Sequence, residues 1–197
     1  MALSQESLER AVTGALDFID GFGRLYSLPA SMEWLTAYSG IEPVPVSSLS
    51  VSTGFNRERI ISSIGSRDGV SLLQGKKKWI LYDDSKPVNR VRFTICEELM
   101  HYKLGHVYDS RFNPLVQDYS EEVYEMYEEE AKLAACLILC PPSLYLRRGI
   151  ETRQLMRTCG VSEACAYRIR DVYRKNDALI RRLAAGRPQL NIIYTPR

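Results

Sequence analysis

Apolar residues recur at three- and four-residue spacing over residues 5–20, where Leu8, Ala11, Val12, Ala15, Leu16 and Ile19 share one face. This predicts an amphipathic helix that ends near Gly21 and Gly23. The period is lost over residues 43–53, a Pro-, Val- and Ser-rich stretch that reads as an extended linker or edge segment. Residues 70–82 read as two short strands broken at Gly75, with Trp79, Ile80, Leu81 and Tyr82 in the second, which implies a small antiparallel sheet. After the turn Asp83-Asp84-Ser85-Lys86, Pro87 stands where helices begin, and Gly105 is the next break. Further helices are expected over residues 120–140, stopped by Pro141-Pro142, over 151–158, and over 162–175, the last with Ser162 as N-cap. The expected class is α+β, mostly helical, with the small sheet beside the helix that follows Pro87.

Composition narrows this little. The chain has 197 residues, 45% apolar and 25% charged, which excludes a disordered or collagenous chain and leaves room for one core. No run of 18 apolar residues occurs, so no membrane span is expected. The opening residues have neither a basic leader with an apolar stretch nor a small-residue cleavage site, which reads as no secretory signal and a cytoplasmic location. Cys96, Cys136, Cys140, Cys159 and Cys165 are odd in number, form no CxxC pair, and read as reduced, buried thiols.

Charge changes the picture more. Residues 1–146 carry 14 Lys and Arg against 20 Asp and Glu, whereas residues 147–197 carry 12 against 4. The basic part has few aromatics and no recognised binding motif, so it reads as a solvated face, or one docked on the acidic part, ahead of a direct nucleic-acid site.

On a helix over residues 88–106, Val88, Val91, Ile95, Leu99 and Tyr102 form a core stripe, and Phe93, Met100 and Leu104 a second strip nearly opposite. Between them runs a polar line of Arg90, Thr94, Glu97 and His101, with Glu98 one position aside. A helix apolar on two sides is interior, so these polar groups are either costly or useful. Glu97 and His101 share a face four residues apart with Glu98 between them. That is the spacing of HExxH, in which two histidines bind zinc and the glutamate is general base, except that the first position here is Glu97. Farther on, Asp118, Glu121, Glu122, Glu125, Glu128, Glu129 and Glu130 put seven acids in thirteen residues and run straight into an apolar stretch from Ala131 to Cys140. Alone, such a cluster is a solvated face. Its last members stand at the mouth of the core, where a third ligand would come from.

Phe93-Thr94-Ile95 followed, after Cys96, by Glu-Glu-Leu-Met-His-Tyr-Lys-Leu-Gly-His106 resembles the RFTxAHELGHxxLGH signature of the ImmA/IrrE metallopeptidases, gluzincin-like proteins of bacteria and their mobile elements. Three more motifs agree in order: Ile80-Leu81-Tyr82-Asp83-Asp84 before the helix, Glu130-Ala131 through Leu139-Cys140-Pro141, and Gly160-Val161-Ser162 through Arg168. The resemblance covers about residues 55–175. It implies a zincin-like domain over residues 54–185, between a helical extension and linker at 1–53 and an extended tail at 186–197.

Carried over by position, the resemblance implies Glu98 as general base and His101 and Glu130 as metal ligands, with Glu129 as fallback for Glu130. Glu97 stands in the place of the family's first histidine and would be the remaining ligand. Thr94 and His106 would support the ligands from behind, His106 lying about 140° round the helix from His101. The implied cofactor is zinc, or a harder ion such as manganese or ferrous iron because of the oxygen-rich set. The implied activity is metal-dependent cleavage of a peptide bond in a protein substrate, a helix-turn-helix transcriptional repressor. The alternative is a pseudopeptidase that binds such a partner without cutting it.

Overall fold

The computed structural model describes residues 3–23, 26–65, 68–112, 118–148 and 150–187. Helix α1 (Gln5–Phe22) starts where the Ser4 side chain accepts from the Ser7 N–H, and it buries the face foreseen from the spacing, from Ala11 to Ile19. Next come α2 (Met32–Tyr38), strand β1 (Glu42–Pro45), α3 (Val46–Thr53) and α4 (Arg57–Ile64). The hairpin β2 (Gly69–Gln74) and β3 (Lys77–Tyr82) turns at Gly75, whose φ of 58° is left-handed. Beyond it lie α5 (Val88–Lys103), α6 (Glu121–Leu139), α7 (Pro142–Arg148), α8 (Thr152–Cys159) and α9 (Glu163–Ala184).

The fold is mostly helical α+β, and its sheet is mixed. The strand order is β1-β3-β2; Gly69 faces Tyr82 and Gln74 faces Lys77 in the antiparallel hairpin, while β1 runs parallel to β3 from Glu42 opposite Trp79 to Pro45 opposite Tyr82. Pro43 and Pro45 cannot donate to a ladder, which suits β1 to its place as an outer strand. The rest of the segment expected to be extended is instead α3. Its sequence has almost no amphipathic period and only Val46 is buried, so its ends set it. The Ser47 N–H and hydroxyl both donate to the Asp84 carboxylate, and Gly54 closes the helix with a left-handed φ of 71°. A tertiary contact of this kind overrides local propensity and leaves no trace in it.

Helices α1, α5, α6 and α9 share the main core, with α5 lying between α6 and the hairpin. Every residue of α5 from Phe93 to Tyr102 is buried, as two apolar strips require. Val88, placed on the core stripe by spacing, is 71% exposed because it is the first residue of the helix. A separate small cluster of Val46, Ile60 and Leu81 ties α3 and α4 to the sheet. Helix α9 continues past Lys175 to Ala184 through a kink at Asn176, whose side-chain amide donates to the Val172 carbonyl at 2.9 Å. Its last turn and the residues just after it dock on α1: Arg182 meets Glu9 at 2.6 Å, and Arg187 meets Asp17 at 2.6 Å and Asp20 at 3.0 Å. All five cysteines are free and buried. Most of the expected extended tail, residues 188–197, lies outside the described residues. Among the described residues no helix is long and apolar enough to cross a membrane.

The hairpin packs tightly against α5 at Gly69, where a Cβ would sit 2.5 Å from Thr94 Cγ2 and 3.1 Å from the Leu81 carbonyl oxygen. Gly69→Ala is therefore expected to destabilise by about 1–3 kcal/mol in chemical denaturation. Adding Thr94→Ser, which removes the opposing methyl, recovers part of the loss; equal losses with and without it would place the strain elsewhere.

Candidate active site

Helix α5 is clipped to the hairpin by two hydroxyls. Tyr102 Oη lies 2.5 Å from the Leu72 carbonyl oxygen and 2.8 Å from that of Trp79. Ser71 Oγ donates to Glu98 Oε2 at 2.7 Å. Beside this seam opens a cleft of about 1000 Å³. One wall is β2 along its whole length, another is the end of α4, and its floor holds Glu97 and Glu98 from α5 and Glu128 and Lys132 from α6.

His101 lies fully buried beneath that floor, its ring stacked on Phe112 at 4.7 Å between centroids. Its Nε2 is 3.5 Å from Glu128 Oε1 yet makes no hydrogen bond. Its other nitrogen, Nδ1, is 3.0 Å from Nδ1 of His106. His106 stacks on Tyr127 at 4.1 Å and places Nε2 3.1 Å from Glu130 Oε2. Glu130, fully buried, also takes the Arg10 guanidinium in a two-pronged bond of 2.9 and 2.5 Å. A chain of contacts thus runs from α1 through α6 to the imidazole under the cleft.

The hydrogen-bond inventory fixes the protons along it. Burial pushes His106 down to about 4, so the ring is neutral at physiological pH. A carboxylate only accepts, so the His106 proton sits on Nε2 facing Glu130, and His106 Nδ1 accepts from Nδ1–H of His101. The remaining nitrogen of His101, Nε2, is the one turned toward Glu128.

The carboxylates of the cleft differ sharply. Burial lifts Glu97 up to about 7, with Glu128 and Glu98 adding to the shift. Burial also raises Glu98, against the pull of His101 and the Ser71 hydroxyl. Burial works against Glu128 as well, but His101 and Lys132 overcome it and bring it to about 2. On His101, burial opposes the charge while Glu128, Glu98 and Glu97 outweigh it, so its affinity for a proton rises.

The structure therefore brings Glu97, Glu98 and His101 to one place, as their spacing on α5 foretells. Glu130 does not line the cleft. Two residues past Glu128 is about 200° round a helix, so Glu130 faces α1, where Arg10 and His106 satisfy it. Glu129 is on the solvent side, bonded to Lys132 at 3.3 Å. His106 stands behind His101. Thr94 is buried with its hydroxyl unbonded and its methyl toward Gly69. Glu128 is the residue that sequence reading passed over; in a run of three glutamates only the phase of α6 against α5 tells which one meets His101.

The family model for the IrrE N-terminal-like domain of the M78 peptidases matches residues 58–169. The chain belongs to this peptidase family. No curated protein and no solved structure matches it. The matched span takes in α4, the hairpin, α5, α6 and the first turns of α9, and so every residue lining the cleft, while Arg10 on α1 lies outside it.

An M78 peptidase implies a metal, and the donors under the cleft fit one in kind: an unbonded, buried imidazole nitrogen beside carboxylates from two helices. Among the described residues no three such side chains already close on one point. The second oxygen of Glu128 is held by the Lys132 ammonium at 3.2 Å.

Two outcomes follow from these charges. Glu97 holds its proton more tightly folded than unfolded, so its contribution to stability is complete below about pH 4.5 and is lost as pH rises through about 7. In chelator-treated protein, Glu97→Gln should gain on wild type between about pH 5 and pH 8, by at most about 3 kcal/mol. Parallel curves would show a Glu97 that ionises freely. Arg10→Met strips Glu130 of its main counter-charge; the expected loss is on the order of 2 kcal/mol, less than for a fully enclosed pair because Arg10 is partly solvated. A melting temperature unchanged from wild type would mean that His106 alone suffices.

Proposed function

We propose that the protein is a metal-dependent endopeptidase in which Glu97, His101 and Glu128 hold the ion and Glu98 moves the proton. The observation that carries this reading is the buried Nε2 of His101, unbonded and turned toward Glu128 under the cleft. A divalent ion there, zinc or a harder one such as manganese or ferrous iron, would polarise the scissile carbonyl and acidify a water. Glu98 suits the base: burial raises its proton affinity, and the Ser71 hydroxyl holds one oxygen while the side chain borders the cleft. The chain through His106 to Glu130 fixes the ring of His101, as the partners of metal-bound histidines do. Glu130, assigned to the ion by resemblance, serves in this reading to hold His106. Strand β2, outermost in the sheet and lining the cleft, offers an extended substrate segment a backbone to pair with.

The substrate class we infer is a helix-turn-helix repressor met in the cytoplasm. That inference rests on the family resemblance. The competing reading, a pseudopeptidase that binds the repressor without cutting, is favoured by one feature: a carboxylate at position 97 and a lysine on Glu128 leave the ion a poorer seat than two imidazoles.

Wild type, Glu98→Gln and Glu97→His, each supplied in turn with zinc, manganese and ferrous ions, separate the two. Cleavage of a helix-turn-helix repressor by wild type, reduced at least about 100-fold by Glu98→Gln, supports the peptidase. Metal uptake and cleavage by Glu97→His alone, with wild type inert under every ion, supports the pseudopeptidase.

A further inference from the structure

Among the described residues two cations line the cleft, Arg90, which is paired with Asp68, and Lys132, which stands among the carboxylates of its floor. Lys132 lies on α6 one turn beyond Glu128, on the same face, and it borders the cleft together with Glu97, Glu98 and Glu128. Its Nζ is 3.2 Å from Glu128 Oε2, the oxygen that does not face His101, and 3.3 Å from Glu129 Oε1. Glu128 thus spans two partners, the imidazole through one oxygen and the ammonium through the other. Glu129 is the more solvated of the two acids, with 45% of its side chain exposed against 22% for Glu128. One Nζ position thus bridges the inner acid, Glu128, and the outer acid, Glu129, and the flexible stem lets the ammonium keep Glu129 while giving up Glu128.

We propose that Lys132 is a resident counter-ion that competes with the metal for Glu128, so that metal enters as the ammonium gives up Glu128 and keeps Glu129. This rests on the reading of Glu97, His101 and Glu128 as the ion's donors. The physical argument is electrostatic. A unit positive charge on one carboxylate oxygen repels a divalent ion at the other across a few ångströms of partly dry protein, where charges interact several times more strongly than in water. In the ion's absence the same ammonium offsets the repulsion among Glu97, Glu98 and Glu128, which would otherwise share the cleft floor uncompensated. The donor set and its occupant are therefore one device: a site neutralised from within until a stronger cation displaces the lysine.

The test is a titration of chelator-stripped full-length protein with zinc and with manganese, read by calorimetry and by competition with a metal-binding dye. Lys132→Met is expected to tighten binding about tenfold or more, and Lys132→Gln, which keeps a polar tip, to do the same. Lys132→Arg keeps the charge and stays within about threefold of wild type. Glu129→Gln removes the outer acid and weakens binding in the wild-type background, but has no effect beside Lys132→Met, a coupling that a purely additive surface charge does not produce. Unchanged or weaker binding in both Lys132→Met and Lys132→Gln overturns the proposal. Glu97→His serves as the reference: if it binds metal while the two lysine variants bind no better than wild type, the lysine competition is wrong and the metal centre stands. If no variant binds either ion, the metal centre itself is wrong, and the proposal falls with it.

Discussion

A carboxylate placed where water cannot reach must be met by the protein, and the architecture around Glu130 is the answer to that demand. A fully buried negative charge would cost several kcal/mol if left alone. Here Arg10 reaches in from α1 and His106 from the turn after α5, so two separate pieces of chain converge on one side chain of α6. The pairing does more than cancel charge. Because a carboxylate can only accept, it dictates which nitrogen of His106 is protonated, and through that ring the orientation of His101. A constraint that begins as an electrostatic liability ends by setting the chemistry at the cleft.

The polar groups consequently sort into two layers. The inner one, Arg10, Glu130 and His106, is satisfied by its own members. The outer one, Glu97, Glu98, Glu128 and Lys132, is open to the cleft and frustrated: burial and mutual repulsion raise Glu97 and Glu98, while His101 and Lys132 hold Glu128 ionised. Neighbouring carboxylates whose proton affinities are driven apart are a mark of acid–base sites, since one can stay charged while the other exchanges protons near neutrality.

Much of this was legible in the sequence, and the limits have physical causes. Helices α1, α5 and α6 were plain because each buries a defined stripe, and the hairpin because Gly75 interrupts two short β-rich runs. The Glu97-Glu98-His101 group was legible because helix geometry alone places i and i+4 on one face. The acid of α6 that meets His101 was not. Choosing among Glu128, Glu129 and Glu130 requires the rotation of α6 relative to α5, which many weak packing contacts decide together. Helix α3 and the parallel pairing of β1 were hidden for a related reason: the contact of Ser47 with Asp84 spans 37 positions and has no local signature. Arg10 carried no signal either, since a lone arginine on an amphipathic helix looks like any solvated one.

The small cluster of Val46, Ile60 and Leu81 stands apart from the main core. The end of α4 forms one wall of the cleft, and this helix is anchored through that cluster and the ion pair of Arg57 with the buried Asp83 rather than through the main core that holds α5 and α6. Elements with few buried apolar contacts open at lower free energy than those in the central core. The wall of the cleft and the polar groups of its floor are therefore held by different sets of side chains, so that the shape of the opening and the geometry of the charged groups beneath it are set by different parts of the chain.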